Sequence, residues 1–393
     1  MPPKAEDARL VPERASPFTP SSWIDRCLAA RDNLLASPRF QRWAAGFPIT
    51  RKIAQKRALS LFDLCAGFVY SQVLAACVKL KLFDILAERP QTVAQLSRRL
   101  ALPLDRTTRL LAAAVSLRLL ERRSHERFGL GVLGAALRGN PAIAAMVEHH
   151  ALLYADLRDP VALLRGSGPD TALSEFWPYA RESEPAHLAS EQVAPYSALM
   201  FASQSMIAGD VLDAYPLRTH HRLLDVGGGE GAFVIEAASR APHLHCALFD
   251  LPPVAERARS RFANVQIAAR TTVASGDFFH DALPEGADVV TLVRVIHDHD
   301  DAAVVALLRN IRRVLPSDGA LLIAEPMSGT PGAETVADAY FGFYLLAMGS
   351  GRARSPDEVR RLLQAAGFEP GRLLTTRRPM LVSAMVAKPT HQK

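Results

Sequence analysis

Two histidines and three aspartates lie within five positions of one short segment. Residues 295–301 read V-I-H-D-H-D-D and are separated by one arginine from the largely apolar run 289–293. Side chains of these types could bind a metal ion, transfer a proton, or only form the polar end of a buried strand. On an extended strand, His297 and His299 would face the same side. Mg²⁺, however, prefers carboxylate oxygens and water to imidazole. Zinc would need a third ligand, and the sequence offers no second His/Cys cluster. We therefore expect no metal, which leaves proton transfer or the polar end of a buried strand.

A glycine-rich turn in R-L-L-D-V-G-G-G-E-G-A (222–232) offers a second place for chemistry. From Gly227 on, it satisfies the dinucleotide pattern G-x-G-x-x-G/A, which alone would indicate NAD. Asp225, however, lies directly before the turn, where a carboxylate would repel a pyrophosphate and accept hydrogen bonds from a cationic amino group. S-adenosylmethionine carries such a group and NAD does not. Glycines such as Gly229 let the backbone pass close to this ligand because they have no Cβ.

Further residues with suitable chemistry follow at the ends of the next strands. Asp250, with Leu251 after it, is placed to bind the two hydroxyls of a ribose. Asp277 can meet the exocyclic amine of adenine, with Phe278 against the ring, and the long side chain of Arg294 could reach the cofactor or an acidic neighbour. A strand-ending aspartate is often only a helix cap. In this order on successive strands, the residues predict an S-adenosylmethionine site.

The elements that must position these residues alternate between strand and helix from position 222 onward. This alternation predicts an α/β fold with a mostly parallel sheet covered on both faces, whose ligands bind at the carboxyl ends of the strands. A length of 393 residues favours two domains. We expect a disordered arm over residues 1–20, a mainly helical domain over 21–215 and a cofactor-binding domain over 216–393.

Helical periodicity covers residues 22–45 and 50–88 of the amino-terminal half. These helices carry more apolar surface than one buried face needs. Packing against a second copy of the chain would explain this excess, and so would a deep core within one chain.

Residues 91–138 read as two helices and a hairpin, in which Thr92 can cap the first helix. Helix, turn, helix and wing outline a winged helix, and Arg106 and Arg109 beside the second helix make DNA binding by a regulator one alternative. A base-reading helix needs polar side chains, whereas this one continues as L-L-A-A-A-V-S-L-R-L-L. We expect a structural lobe and no nucleic-acid partner.

Composition limits the location of the protein. No run approaches the roughly 18 uninterrupted apolar residues of a membrane span, and the amino terminus lacks the apolar core of a secretion signal. The scattered residues Cys27, Cys65, Cys77 and Cys246 fit buried free thiols in a reducing cytoplasm. A net charge of +6 permits contact with an anionic membrane or a nucleic acid and demands neither.

From about residue 60 to 388 the chain resembles the cation-independent S-adenosylmethionine-dependent O-methyltransferases of the caffeate type. The resemblance rests on L-L-D-V-G-G-G-E-G, L-F-D-L-P-P-V, S-G-D-F-F, V-I-H-D-H-D-D, L-L-I-A-E-P and the closing G-R-A-R-S-P-D-E-V-R-R-L-L-Q-A-A-G-F. It implies an amino-terminal dimerisation domain with a winged-helix-like lobe, a Rossmann-like catalytic domain and a homodimer.

In this family the histidine of H-D-W-S-D is the general base, so the resemblance assigns that role to His297, with Glu325 as an acidic neighbour that steadies it. The chain departs from the family pattern in three places. Ala353 stands where the family has a further acidic residue, His299 stands in place of tryptophan, and Arg294 is the third departure.

More narrowly, H-H-A-L-L-Y-A-D-L-R-D-P-V-A-L-L and the arginine-rich amino-terminal half resemble the hydroxycarotenoid O-methyltransferases of purple photosynthetic bacteria. This implies methylation of the tertiary hydroxyl of a 1-hydroxycarotenoid (hydroxyneurosporene or demethylspheroidene) in spheroidene biosynthesis. It also implies a cytoplasmic enzyme with peripheral contact to the photosynthetic membrane. A bacteriochlorophyll intermediate and a quinone are alternative acceptors.

The stretch 337–351 is apolar around much of its helical circumference, which core packing would explain. It also precedes the loop with which the family lines its acceptor pocket. Large apolar side chains here and upstream could form a long tunnel suited to a polyene; they are Phe176, Trp177, Met200, Phe341, Tyr344 and Met348.

Overall fold

The computed structural model describes residues 23–168, 170–177, 190–265 and 267–390. The arm expected over residues 1–20 lies outside this part of the chain. The chain forms two compact units, which divide between Val73 and Leu74. The domain boundary expected at 215/216 stays a prediction.

The first unit is helical, as the periodicity predicts. It contains α1 (Trp23–Ala36), α2 (Pro38–Gly46) and most of α3 (Arg51–Lys79). The stretch Pro48–Lys79 has a mean hydropathy of 1.7 with 11% of its most apolar window buried, so by length and composition alone it could span a membrane. A helix covered by another protein surface would pass the same test. The expectation of four buried thiols is wrong for Cys27 and Cys65, which are exposed on these helices.

The second unit begins with a small lobe that contains α4 (Leu82–Glu88), β1 (Gln91–Thr92), α5 (Val93–Leu100), α6 (Leu104–Ser116), β2 (Leu120–Arg123), β3 (Arg127–Leu130) and α7 (Val132–Arg138). The three strands pair in the order β1–β3–β2. Thr92 caps α5 in a capping box with Gln95. This confirms the winged-helix-like lobe. On α6, Leu111 and Ala114 are fully buried, so the apolar run of this helix fills a core.

Four helices connect the lobe to the main sheet: α8 (Pro141–Asp156), α9 (Pro160–Arg165), α10 (Ala172–Phe176) and α11 (Ser190–Ala214). The main sheet contains β4 (Arg222–Val226), β5 (His245–Asp250), β6 (Thr271–Ser275), β7 (Val289–Val293), β8 (Ala320–Glu325), β9 (Arg372–Leu374) and β10 (Ser383–Ala387). The helices among them are α12 (Ala232–Arg240), α13 (Pro252–Ala263), α14 (Asp301–Val314), α15 (Gly342–Met348) and α16 (Pro356–Ala365).

The main sheet is mostly parallel, as expected, with the order β6–β5–β4–β7–β8–β10–β9. Strands β4 to β8 run parallel and β10 is antiparallel to both its neighbours. Alternate residues of one strand enter two different cores. Leu223 belongs to one core and Leu224 to the other, as Val289 and Val290 do on β7. This alternation shows that helices cover both faces.

The order of the strands places a crevice at one point of the sheet. The chain proceeds from β4 outward through β5 and β6, then returns to β7 on the other side of β4. The loops after β4 and β7 therefore leave the sheet in opposite directions, and ligands of such sheets bind between them.

Candidate active site

A cleft of about 930 Å³, including the part open to solvent, lies at this point of the second unit. Its lining comes from Trp177 after α10, from α11 and from the ends of four neighbouring strands with the loops after them. The lining residues are Trp177, Tyr196, Ser197, Met200, Gln204, Gly227, Gly229, Asp250, Leu251, Val254, Asp277, Phe278, Phe279, Arg294, Val295, Asp298 and His299. Seven of the eight predicted cofactor-binding residues are among them, and Asp225 lies buried beneath the turn.

The glycine-rich turn after β4 requires its glycines. Gly227 and Gly229 have φ angles of 68° and 59°, which residues with a Cβ rarely adopt. A Cβ on Gly227 would lie 2.9 Å from Cγ2 of Val295, whereas the space beside Gly229 is open for 4 Å. The turn thus holds its backbone against the loop after β7 and leaves room for a ligand beside Gly229.

Asp225 carries a buried carboxylate with one unsatisfied oxygen. The residue is 1% exposed, and its Oδ1 accepts a hydrogen bond of 2.6 Å from the Thr291 hydroxyl. Its Oδ2 has no partner among the residues that the structure describes. Burial, together with the nearby charge of Asp250, raises the pKa of Asp225 to about 7 despite the bond from Thr291. A buried oxygen without a donor is costly. Because Asp225 does not itself line the cleft, an ammonium group of a ligand would satisfy this oxygen once the glycine-rich turn above it shifts.

Asp250 fixes the turn while it lines the cleft. Its Oδ2 accepts the Gly229 N–H at 2.7 Å and its Oδ1 accepts the Leu251 N–H at 2.8 Å. Burial raises the pKa of Asp250 to about 6 against the effect of these two bonds. Each carboxylate oxygen keeps a second lone pair, which can accept a hydroxyl of a ribose.

Asp277 and Phe278 lie at the next strand end, where the order of motifs places them. The carboxylate of Asp277 accepts the N–H of Phe279 at 2.8 Å and contacts Nδ1 of His280 at 2.7 Å. The Phe278 ring packs edge-on against Phe279, with ring centroids 4.7 Å apart. This end of the cleft is therefore an aromatic wall beside a fixed carboxylate, a setting suited to a purine with an exocyclic amine.

Arg294 brings a positive charge to the opposite side. Its φ of 58° is unusual for a residue with a side chain, and such backbone strain is common at functional sites. One guanidinium nitrogen donates to the Ser203 hydroxyl at 2.9 Å, while the buried Nε has no partner within the described part of the chain. The guanidinium carbon lies 6.0 Å from the centre of the Phe341 ring.

His297 is held between two carboxylates. It lies in a 3₁₀ turn, Ile296–Asp298, so that it is not on an extended strand as the metal reading requires. Its Nδ1 contacts Oε2 of Glu325, and its Nε2 lies 3.1 Å from Oδ1 of Asp298. Burial alone would lower the pKa of His297, but the charges of Asp298 and Glu325 outweigh burial and raise it. The imidazole is therefore a stronger base than an ordinary histidine, because its protonated form is stabilised on both sides.

Asp298, rather than His297, lines the cleft. His297 is 6% exposed and lies behind Asp298, so a substrate hydroxyl must displace the Asp298 carboxylate to reach Nε2. His299 turns the other way and packs edge-on against Phe278 and Phe279, with ring centroids 5.6 and 5.1 Å away. Burial lowers the pKa of His299, which keeps its ring neutral. His299 thus provides the aromatic surface of the tryptophan that it replaces.

The loop that carries Ala353 supports the base through a residue that the motifs did not reveal. Arg354 is 3% exposed and donates to the carbonyl oxygens of Ile296 and His299, at 2.6 Å each. It also bonds Asp301 at 2.8 Å, at the start of α14. Because it clamps both ends of the turn that holds His297, Arg354 positions the base.

The residues predicted to line the acceptor pocket lie in the cleft and in a buried cluster that adjoins it. Met200 lines the cleft, and Trp177 lines the cleft and also belongs to the cluster. Tyr344 and Met348 are buried in that cluster, and the partly buried Phe341 packs against it with its ring 6.2 Å from that of His297. Phe176 packs against His149 and Tyr196.

Paired polar groups lie within this adjoining cluster. His149 contacts the hydroxyl of Tyr344 at 2.8 Å, and His150 contacts that of Tyr340 at 2.8 Å. Burial lowers the pKa of His149 to about 4 and raises the pKa of Tyr340 to about 12, so both groups are neutral at pH 7. His149 and Tyr340 thus add no charge to this cluster, while the Arg294 guanidinium lies 6.0 Å from the Phe341 ring at its edge.

Together, the parallel sheet, the unsatisfied carboxylate beneath a glycine-rich turn and the buried histidine between two acids define a methyltransferase-type site. The chain belongs to the O-methyltransferase family, because the family's O-methyltransferase domain matches residues 154–369 and its dimerisation domain matches residues 62–137. It is an O-methyltransferase.

Among its relatives, the chain is 43% identical over 354 residues to the demethylspheroidene O-methyltransferase of Cereibacter sphaeroides, which covers 90% of this chain and 93% of that protein. It is 41% identical to the demethylspheroidene O-methyltransferase of Rhodobacter capsulatus, over 87% of this chain and 84% of that one. The structure also resembles that of human N-acetylserotonin methyltransferase in complex with SAM, with a TM-score of 0.66, 25% identity, and coverage of 85% of this chain and 98% of that one.

Proposed function

We propose that this chain transfers a methyl group from S-adenosylmethionine to the tertiary hydroxyl of a 1-hydroxycarotenoid, such as demethylspheroidene or hydroxyneurosporene. The choice of acceptor rests on the similarity to two bacterial demethylspheroidene O-methyltransferases along nearly the whole chain. The largely apolar cluster beside His297 supports it, because its histidines and tyrosines are hydrogen-bonded to each other and a polyene offers no partner for a polar or charged group.

The unsatisfied oxygen of Asp225 supports the choice of cofactor. S-adenosylmethionine, when bound, would supply a methyl group on a positively charged sulfur. Asp225 would accept the ammonium group, Asp250 the ribose hydroxyls, and Asp277 with Phe278 and Leu251 the adenine. The backbone at Gly227 and Gly229 would pass against the ligand, and the cation of Arg294 would stay at the edge, where it remains bonded to Ser203.

His297 is the base in this proposal and Glu325 the residue that orients it. A tertiary alcohol is too weak an acid to lose its proton first, so proton removal accompanies the formation of the new C–O bond. The hydroxyl displaces Asp298 and gives its proton to Nε2 of His297. Glu325 at Nδ1 then stabilises the imidazolium, and such a positioned base typically contributes ~10²–10⁴-fold in rate.

Two further features belong to the proposal. The exposed apolar residues of α3, among them Leu61, Leu64 and Phe68, would be covered in a homodimer, in keeping with the dimerisation domain of the family. Because carotenoids dissolve in membranes, the enzyme would work at the cytoplasmic face of the photosynthetic membrane.

The decisive experiment is an assay with purified protein, methyl-labelled S-adenosylmethionine and acceptors delivered in detergent micelles. We expect labelled product, heavier by one methyl group, from the 1-hydroxycarotenoid and not from a bacteriochlorophyll intermediate or a quinone. Labelling of one of these instead would replace the proposed acceptor and leave the cofactor assignment intact. His297→Ala is the control and should abolish labelling while cofactor binding persists.

A further inference from the structure

The first unit carries a segment of unusual charge, residues 38–57, which we call the basic-aromatic segment. It contains six basic residues and no aspartate or glutamate. The basic residues are Arg39, Arg42, Arg51, Lys52, Lys56 and Arg57. All six are exposed, and none forms an ion pair with a carboxylate in the part of the chain that the structure describes. The charge of the segment equals the net charge of the whole protein.

Large apolar side chains are exposed between these charges. Trp43 is 53% exposed and Ile49 77% exposed. The Trp43 ring lies stacked against the Phe47 ring, with 5.1 Å between centroids and 14° between planes. The segment is folded: Ser37 caps α2, and the Thr50 hydroxyl donates to the Ala44 carbonyl oxygen at 2.8 Å across the turn to α3. The aromatic rings are therefore held on a fixed surface, exposed beside cations that pair with no carboxylate of the described residues.

Charge decides which partner fits this surface. A second copy of the chain would bring six more cations to the first six, and charges of like sign placed against each other across an interface cost several kcal/mol. An anionic bilayer neutralises lysine and arginine at its surface. It also accommodates tryptophan and phenylalanine in its interfacial layer. The dimerisation domain of the family, moreover, begins only at residue 62.

We propose that the basic-aromatic segment docks the enzyme peripherally on an anionic phospholipid membrane, with Trp43, Phe47 and Ile49 inserted among the headgroups. The basic side chains contact lipid phosphates around them. This inference rests on the membrane contact of the proposed function and names the surface that makes it. Because vesicle binding is measured without any acceptor, it can fail while the methylation assay succeeds, and the reverse.

The test is flotation of the full-length protein with vesicles of phosphatidylcholine alone and of equal parts phosphatidylcholine and phosphatidylglycerol. We expect binding only to the anionic vesicles and release by high salt. Triple replacement of Arg51, Lys52 and Lys56 by glutamine should weaken partitioning on the order of 10²-fold. The matched control removes the same charge elsewhere, by replacing the exposed residues Arg106, Arg109 and Arg165 with glutamine, and should change partitioning little. Equal weakening in both triple variants would refute the segment as the docking site.

Fluorescence of Trp43 gives an independent measurement. Trp23→Phe leaves Trp43 and Trp177, and Trp177 is only 4% exposed. In that variant, lipids brominated near the headgroup should quench a large part of the emission, and the loss should disappear when Trp43→Phe is added. A second copy of the chain would cover this surface instead if the lipids did not quench Trp43 and if acrylamide quenched it less as the protein concentration rose. Binding that survives both high salt and alkaline carbonate would show a spanning helix, and either result would overturn the proposal.

Discussion

Glu325 binds His297 and the backbone of the turn that carries His297 at the same time. Its Oε1 accepts the N–H groups of Val295 and Ile296, at 2.9 and 2.8 Å, while its Oε2 contacts Nδ1 of the imidazole. Glu325 ends β8 and His297 follows β7, and these two strands are paired in the sheet. The sheet thus sets the distance between base and acid, and Glu325 leaves Nε2 as the nitrogen that can accept a proton.

Glu325→Gln should therefore damage catalysis without loosening the turn. The amide oxygen can still accept the two backbone N–H groups, but the NH₂ group would donate to Nδ1 and leave Nε2 protonated. We expect kcat to fall by roughly 10²–10⁴-fold, as for loss of the base, with cofactor affinity unchanged. Single-turnover rates and cofactor binding measure the two effects. Glu334→Gln, at an exposed glutamate, is the matched control and should be silent.

The pH dependence of the wild-type enzyme follows from the raised pKa of His297. Protonated His297 cannot act as a base, so activity should be low in acid and rise through a pKa above the ordinary 6.5. Asp298→Asn removes one of the charges that raise this pKa, and the acid limb of the rate profile should move to lower pH. A limb that stays in place in this variant would show that another group titrates.

Asp225 should make cofactor binding depend on pH. With a pKa of about 7, its carboxylate is largely protonated in acid and then cannot pair with an ammonium group. Affinity should rise with pH and level off above about 7, with proton release on binding near that pH. Calorimetry in buffers of different ionisation enthalpy measures both. Asp225→Asn should weaken binding about 10–100-fold, as for loss of a charged hydrogen bond, and remove this proton release.

Asp225→Asn should also change stability: it weakens cofactor binding, but it should make the free protein more stable. Because the folded-state pKa of Asp225 lies above the unfolded value, folding becomes less favourable as pH rises from about 3.8 to about 7. Asp225→Asn removes this penalty, so the free protein should melt at a higher temperature above pH 7. A variant that loses both affinity and stability would contradict a carboxylate placed for its ligand.

The sequence predicts strands, caps and turn glycines well because these depend on neighbouring residues. Thr92 with Gln95, and Gly227 before its turn, need only a few positions of context. Contacts between distant segments are different. Arg354 reaches Ile296, far away in the chain, and nothing in G-R-A-R-S distinguishes its buried arginine from Arg352, which remains half exposed. The position of Asp298 between His297 and the cleft likewise depends on the 3₁₀ turn, which the continuous strand pattern conceals.

These two arginines offer a matched comparison of stability. Arg354→Ala leaves two buried carbonyl oxygens without their donor, so the free energy of unfolding should fall by about 2–3 kcal/mol. Arg352→Ala removes only exposed ion pairs and should cost less than about 1 kcal/mol. Urea denaturation measures both. Equal losses would mean that Arg354 does not clamp the turn.

Variants of two methionines can distinguish the acceptor pocket from the core that lies behind it. Met200 lines the cleft, whereas Met348 is 2% exposed within the cluster around Tyr344. Truncation to alanine removes the same atoms from both, so their environments alone decide the result. Met200→Ala should raise the KM for the acceptor, because a long apolar ligand loses contact with the wall, and should change stability little.

Met348→Ala should do the reverse. It leaves a cavity in a closed cluster and should lower the free energy of unfolding by about 2–5 kcal/mol, with little change in acceptor KM. Steady-state kinetics together with urea denaturation of both variants measures the contrast. If Met348→Ala instead raised KM as much as Met200→Ala, the adjoining cluster would open to the substrate, and the tunnel would extend along α15 as the apolar pattern of residues 337–351 predicts.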